Sequence, residues 1–171
     1  MAIDVSLNTV KEKIGAGLRV NKFSAEFPAL GDGQEGDITY FLQSASTPTK
    51  NIGEIPINWQ GLQYKVPGDV TYDAFTVGFI CDKNNSSYKY MSLWMDLVID
   101  VQTNSRGLIS DIKKNLELHQ LGNSNEIIST WECVGLFPTN VSEISYDRDS
   151  ADTIGTFTAT FAMDSHNFKS I

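Results

Sequence analysis

Positive charge is what this 171-residue chain has least of: 13 Lys and Arg stand against 21 Asp and Glu, for a net charge of −8. Gripping nucleic acid takes clustered cations that neutralise phosphates, so this balance argues against a nucleic-acid binder. It leaves room for a protein that nucleic acid passes without sticking. Lys11, Lys13, Lys113 and Lys114 form the only local basic clusters, and ordinary solvated faces explain them. Histidine is nearly as scarce, with His119 in the alternating run LELHQL and His166 near the polar C-terminus. No G-x-S-x-G elbow, phosphate loop, H-E-x-x-H pair or C-x-x-C is present. The sequence therefore nominates no catalytic, metal-binding or cofactor-binding residue, and the expectation is a protein without enzymatic activity. The two cysteines, Cys81 and Cys133, lie in apolar strand-like settings (GFICD and TWECVGL) and are expected as buried free thiols of a chain made in a reducing cytoplasm. No apolar run approaches the roughly 20 residues that cross a bilayer, so no membrane insertion is expected. The start, MAIDVSLNTVKEKIG, has an early acidic residue and no continuous apolar core, unlike a secretory signal.

What is present describes one globular domain over 1–171, with an apolar fraction of 41% and a charged fraction of 20%. Val5, Leu7, Val10 and Ile14 fall at roughly helical spacing and predict a short N-terminal helix or arm over about 1–17, ended by Gly15 to Gly17. Phe23, Ala25 and Phe27 alternate with polar residues and predict a strand. After the turn-rich loop Gly31 to Asp37, ITYFLQSAS predicts a second strand paired with the first. VTYDAFTVGFICD places Phe75, Val77, Phe79 and Cys81 on one face. Asn84, Asn85 and Ser86 then offer caps for a helix, SSYKYMSLWMDLVIDV, whose expected buried face is Tyr88, Met91, Met95 and Val98, joined by Trp94 and Leu97. DIKKNLELHQLG and EIISTWECVGLFP read as a hairpin of long strands around the turn Gly122 to Asn125. The last strand, TIGTFTATFAMD, sets Phe157, Ala159, Phe161 and Met163 opposite Thr156, Thr158 and Thr160. Helices do not alternate with strands, so the expected fold class is mainly β: an antiparallel sandwich or half-open barrel with one packed helix.

The segment 47–68, TPTKNIGEIPINWQGLQYKVPG, changes texture, with three prolines and three glycines. It reads as short strands in a long extended loop, and a loop of that length inside a domain has a job. Ile52, Ile55, Ile57, Trp59, Leu62, Tyr64 and Val66 need a surface to bury against, which another chain could supply. Trp59 and Tyr64 could instead form a ligand platform on a monomeric β-sandwich binding module, but their aliphatic neighbours favour assembly. The acidic run with Asp147, Asp149 and Asp152 lacks the glycine that a calcium loop needs at its sixth position, and a solvated turn is expected there.

The stretch GLFPTNVSEISYDRDSADTIGTFTATFAMD, Gly135 to Asp164, resembles the C-terminal signature of tail tube proteins from contractile-tailed bacteriophages. Gly135, Phe137, Pro138 and Asn140 carry its most specific part. VPGDVTYDAFTVGFICD is similar to the family's strand before an acidic residue, and IPINWQGLQYKVPGD to its inter-subunit loop. The resemblance runs in order over most of residues 20–168. It implies the fold shared by phage tail tubes and type VI secretion tubes, with hexameric rings stacked into a hollow tube of the virion tail that conducts DNA without binding it. The implied partners are further copies of the chain, a tail sheath protein, a baseplate tube-initiator and a tail terminator. A baseplate initiator or a type VI tube protein of the same fold is the alternative within the resemblance. On this reading Ile55, Ile57, Trp59, Leu62 and Tyr64 contact a neighbouring subunit or ring, and the candidates to face the lumen are the long hairpin 111–135 and the strand 156–164 with Thr156, Thr158 and Thr160. Pro138 would end a strand of one sheet, Val141 to Ile144 would start a strand of the other, and Phe137 and Val141 would seat that corner in the core.

Overall fold

The computed structural model describes residues 17–30, 37–100, 105–149 and 151–170, together with Leu7, Lys11, Ile14 and Gly15. In chain order the strands are β1 (Phe23–Glu26), β2 (Leu42–Ala45), β3 (Lys50–Trp59), β4 (Leu62–Tyr72), β5 (Phe75–Ile80), β6 (Ile99–Asp100), β7 (Ser105–Arg106), β8 (Lys114–Leu121), β9 (Ile127–Val141), β10 (Thr156–Ala162) and β11 (Ser165–Ser170). A 3-10 turn covers Asp37–Phe41, the helix α1 spans Ser86–Val98, and a single helical turn covers Ile109–Ile112. Every strand pair is antiparallel. The main sheet runs β1-β8-β9-β10-β5-β2 with β11 also on β9, while β3-β4 stands apart as a two-stranded sheet.

The core follows from strict alternation in β5 and β10. Phe157 pairs with Phe79, Ala159 with Val77 and Phe161 with Phe75, and all six side chains are buried. Each phenylalanine contributes roughly 1.5–3 kcal/mol by leaving water. Onto this face α1 lays Ser87, Tyr90, Met91 and Trp94, the i, i+3, i+4, i+7 stripe of an amphipathic helix. Trp94 packs 5.7 Å from the Phe161 ring, and its Nε1–H donates to the Ile112 carbonyl at 2.9 Å. That buried face is rotated from the expected one: Tyr88 and Leu97 only partly reach the core, and Met95 and Val98 are half-buried. The shift is set by Ser87, which is small enough to sit against β5 and donates its hydroxyl to the Ile80 carbonyl at 3.2 Å. The helix start is capped from further upstream than expected. Asp82 accepts from the Asn84 amide and from the amide and hydroxyl of Ser86, while Asn85 takes a left-handed φ of 55° and caps nothing with its side chain.

β9 is the spine of the fold. Its first part pairs with β8 on one side and β11 on the other, and from Phe137 to Val141 it pairs with β10. Between the two, Gly135 has φ 68° and turns the strand. β9 therefore changes partners within one continuous sheet, and neither a break at Pro138 nor a move to a second sheet occurs. The strand runs through the proline, which sits at a register shift between Asn140↔Thr160 and Pro138↔Phe161. A bulge is where a strand tolerates a residue with no N–H. Val141 is the last residue of β9, and no strand begins over 142–144. Val141 packs on the core as expected, whereas Phe137 is half-buried with the Lys113 ammonium 5.9 Å from its ring centroid.

Three other expectations change. Asp37–Phe41 is helical, and the β2 that follows pairs with β5, not with β1, whose partner is β8. The first hairpin strand starts at Lys114, because Ile109–Ile112 has formed a helical turn. β11, at the polar C-terminus, was not foreseen. Of the N-terminal helix, Leu7, Lys11 and Ile14 are helical and exposed, while Val5, Val10 and the loop positions 31–36 lie outside the described residues.

Candidate assembly interface

The segment expected as an extended loop is one long hairpin. β3 and β4 reverse through Gln60 and Gly61, both with positive φ (47° and 84°), the conformation of a two-residue turn that matches strand twist. Ten residues of β3 give it a reach of about 33 Å. Its root is held by Asp73, whose carboxylate accepts from Thr49 at 3.0 Å and Asn51 at 2.7 Å.

Register sorts the side chains. Ile55 pairs with Val66, Ile57 with Tyr64 and Trp59 with Leu62, and because facing residues share a side, these six form one continuous apolar face. The other side carries Lys65, 2.7 Å from Glu54, and Asn58, which accepts from Gln63. An amphipathic ribbon of this kind normally lies on a core. Here every residue of β3 is exposed, with Ile55, Ile57, Trp59, Leu62 and Tyr64 at 49 to 76% of full accessibility. None of them packs into the subunit's own core. The signal that would have predicted the hairpin was legible: I-x-I-x-W and L-x-Y-x-V are mirror alternations around Gln-Gly.

The threonines of β10 lie on the side of the main sheet away from the core. Thr158 pairs with Gly78, which pairs with Ser44, and Thr160 faces Thr76 on one side and Asn140 on the other. Thr156 and Thr158 are exposed and Thr160 half-buried. The result is a four-strand face of hydroxyl and amide groups without an ionisable side chain among these partners. A Cβ at Gly78 would strike the Ser44 hydroxyl, which would have to turn away to admit it.

Of the signature residues, Gly135 and Pro138 are buried, Phe137 is half-buried and Asn140 is exposed. Gly135 turns β9, as above, and its amide donates to Asn115 at 3.3 Å.

Among the described residues, the titratable groups form no reactive centre. Burial pushes the Cys133 thiol up to about 11, so it is not a thiolate at neutral pH, and burial and then Asp82 raise that of Cys81. Both are free thiols, Cys133 buried and Cys81 half-buried. Among the described residues, no three His, Cys, Asp or Glu side chains are grouped to hold a metal ion, and none of the helices is long and apolar enough to cross a membrane. The acidic run folds as a local turn in which Asp147 accepts from the Asp149 amide at 3.1 Å.

Comparison with known proteins agrees with this architecture. The tail tube protein of Serratia phage KSP90 is 28% identical over 141 residues, covering 82% of this chain and 79% of that protein. Tail tube protein gp19 of Enterobacteria phage T4 is 27% identical over 148 residues, covering 85% of this chain and 88% of gp19. Among solved structures, a chain of the PVC extracellular contractile injection system, in its extended sheath-tube complex, superposes with a TM-score of 0.65 at 17% identity, covering 98% of this chain and all of that one. The profile of the family described as phage tail tube protein matches residues 4–169. The chain therefore belongs to the phage tail tube protein family, and its role is structural and non-enzymatic.

Proposed function

We propose that six copies of this chain close into a ring, that rings stack into the inner tube of a contractile phage tail, and that DNA leaves through the bore. The observation that carries this reading is the β3-β4 hairpin, an apolar face of six side chains of which its own subunit leaves five in water and half-buries Val66. Exposed patches of that kind mark protein contacts, and the occupant that fits is a neighbouring copy in the same or the adjacent ring. Closure also deals with the open borders of the main sheet, β1 and β2, which neighbours in a ring would cover.

The threonine face suits a bore. Hydroxyls and amides offer phosphates no fixed cation, so no counterions are released on contact and a passing duplex is not held. A sheath protein surrounds the tube in this reading, with an initiator at the baseplate and a terminator at the far end; similarity in fold to chains of a sheath-tube complex and of a sheath/tube terminator supports the sheath and the terminator.

Replacing Trp59 by Asp tests the reading. The variant subunit stays folded, as judged by circular dichroism, and fails to form rings or tubes in negative-stain microscopy under conditions where the parent does. Tubes from the variant equal in number to those of the parent would overturn the hairpin's role.

A further inference from the structure

Three glutamates stand abreast on the main sheet. Glu26 of β1 pairs with Glu117 of β8, which pairs with Glu132 of β9. Like charges directly opposite one another destabilise a sheet. Glu132 is relieved by Lys169 of β11, whose ammonium lies 2.8 Å away and also attracts Glu117 at longer range. Glu26 and Glu117 face instead the imidazole of His119, with the Nε2 atom 3.5 Å from Glu26 and 3.8 Å from Glu117.

The His119 side chain is only 7% exposed. Its Nδ1 is engaged with the Thr130 hydroxyl at 2.9 Å, while its buried Nε2 has no hydrogen-bond partner. A neutral ring that donates from Nδ1 to Thr130 turns a lone pair toward two carboxylates. A ring carrying a second proton donates from both nitrogens, to Thr130 on β9 and to the carboxylates of β1 and β8. The groups facing the ring are Glu26 and Ser24 from β1, Glu117 from β8, Thr130 and Glu132 from β9, and Lys169 from β11. Glu26 is 72% exposed and free to swing the last half-ångström into hydrogen-bond range.

We propose that His119 is a proton-operated clasp that fastens the edge strand β1 to β8. β1 has four residues and pairs only with β8, so, like β2 at the opposite border, it is among the parts of the sheet that open most cheaply. Uptake of a proton at Nε2 adds a charge-assisted link across that border and offsets one of the two carboxylate charges. Acidification therefore tightens β1 locally, opposite in sign to the general loosening that acid brings as structural carboxylates protonate.

Amide hydrogen exchange on the full chain tests this, read as protection factors for Ser24 to Glu26 at pH 8 and pH 5.5. In the parent, protection of these amides rises roughly two- to fivefold on acidification, the range expected of one partly exposed ion pair. In Glu26→Gln, which removes the exposed partner and leaves the buried ring in place, the rise is absent, while β10 amides behave as in the parent. His119→Gln abolishes it too. A rise of equal size in Glu26→Gln, or none in the parent, would overturn the clasp.

Discussion

Gly135 and Asp164 fit against each other so closely that the glycine position has no room for a side chain. The glycine takes φ 68°, and a Cβ on it would strike the Asp164 carboxylate. Asp164 is itself fixed, since its amide donates to the Val134 carbonyl at 3.1 Å and both its oxygens lie 2.7 Å from the Lys113 ammonium. Gly135→Ala therefore meets backbone strain of about 1–2 kcal/mol and a collision with a tethered side chain, and should destabilise the subunit by at least about 2 kcal/mol. Urea unfolding measures this. Gly61→Ala, whose φ is 84° in open space, should lose only the strain.

Trp94 joins α1 to the sheet and to the turn at Ile112. Trp94→Ala should cost about 3–5 kcal/mol, as large aromatic deletions in packed cores do. Trp94→Phe should recover most of the packing while leaving the Ile112 carbonyl without its donor. Thermal unfolding of the two variants should rank parent, Phe, Ala.

The two sides of the hairpin make a contrast that loss of folding cannot mimic. Lys65→Ala removes an exposed ion pair and should change subunit stability by no more than about 1 kcal/mol, with tubes still forming. Ile57→Asp, one position from the Pro56 that faces Lys65 but on the apolar side, should abolish assembly at similar subunit stability. Sedimentation of each variant checks the pair.

Cys133 has its thiol raised from 9.0 to about 11 by burial. Below pH 9 it is protonated in both folded and unfolded chains and contributes no pH dependence. As pH rises from 9 to 11 the unfolded chain loses the proton first, so folding should lose about 2 kcal/mol at that site, lost in full once the folded thiol also ionises. The alkaline limb of the stability curve should be correspondingly shallower in Cys133→Ala than in the parent.

Asp82 shows the opposite sign. Burial opposes ionisation, but the hydrogen bonds from the Ser86 hydroxyl and amide and the Asn84 amide outweigh it and hold the carboxyl below its usual range. The stabilisation of the helix start is present above the ordinary carboxyl range and disappears as pH falls through the lowered value. Asp82→Ala should lower the melting temperature at pH 7 and leave it nearly unchanged at pH 2.

How much of this was legible depended on whether the information was local. β5 and β10 could be read because a buried face repeats every second residue, and Phe75 to Phe79 and Phe157 to Phe161 keep that period without exception. α1 was recognisable, but its phase was not, because Ser87 faces inward for its hydroxyl and its size, which hydropathy does not register. Strand pairing was misjudged for β2, since nothing in LQSA states whether its partner lies about twenty residues back, in β1, or about thirty-five ahead, in β5. β11 escaped because SHNFKS is polar. It is a strand only because it continues the line of β10 along β9, with Ala162↔Phe137 and Ser165↔Val134 in one unbroken register. The hairpin face was read residue by residue as contact surface, but its gathering into a single side needed the turn at Gln60 and Gly61.

That unbroken register has a mechanical meaning. β9 and the β10-β11 line run side by side past the point where the sheet turns at Gly135, so the two parts of the sheet are spliced by a pair of strands. A pull directed along those strands loads many rungs at once, in shear, and cannot peel them one by one from an end. A tail that discharges by sudden contraction would place its axial load on just such a seam, wherever the strands lie along the direction of thrust.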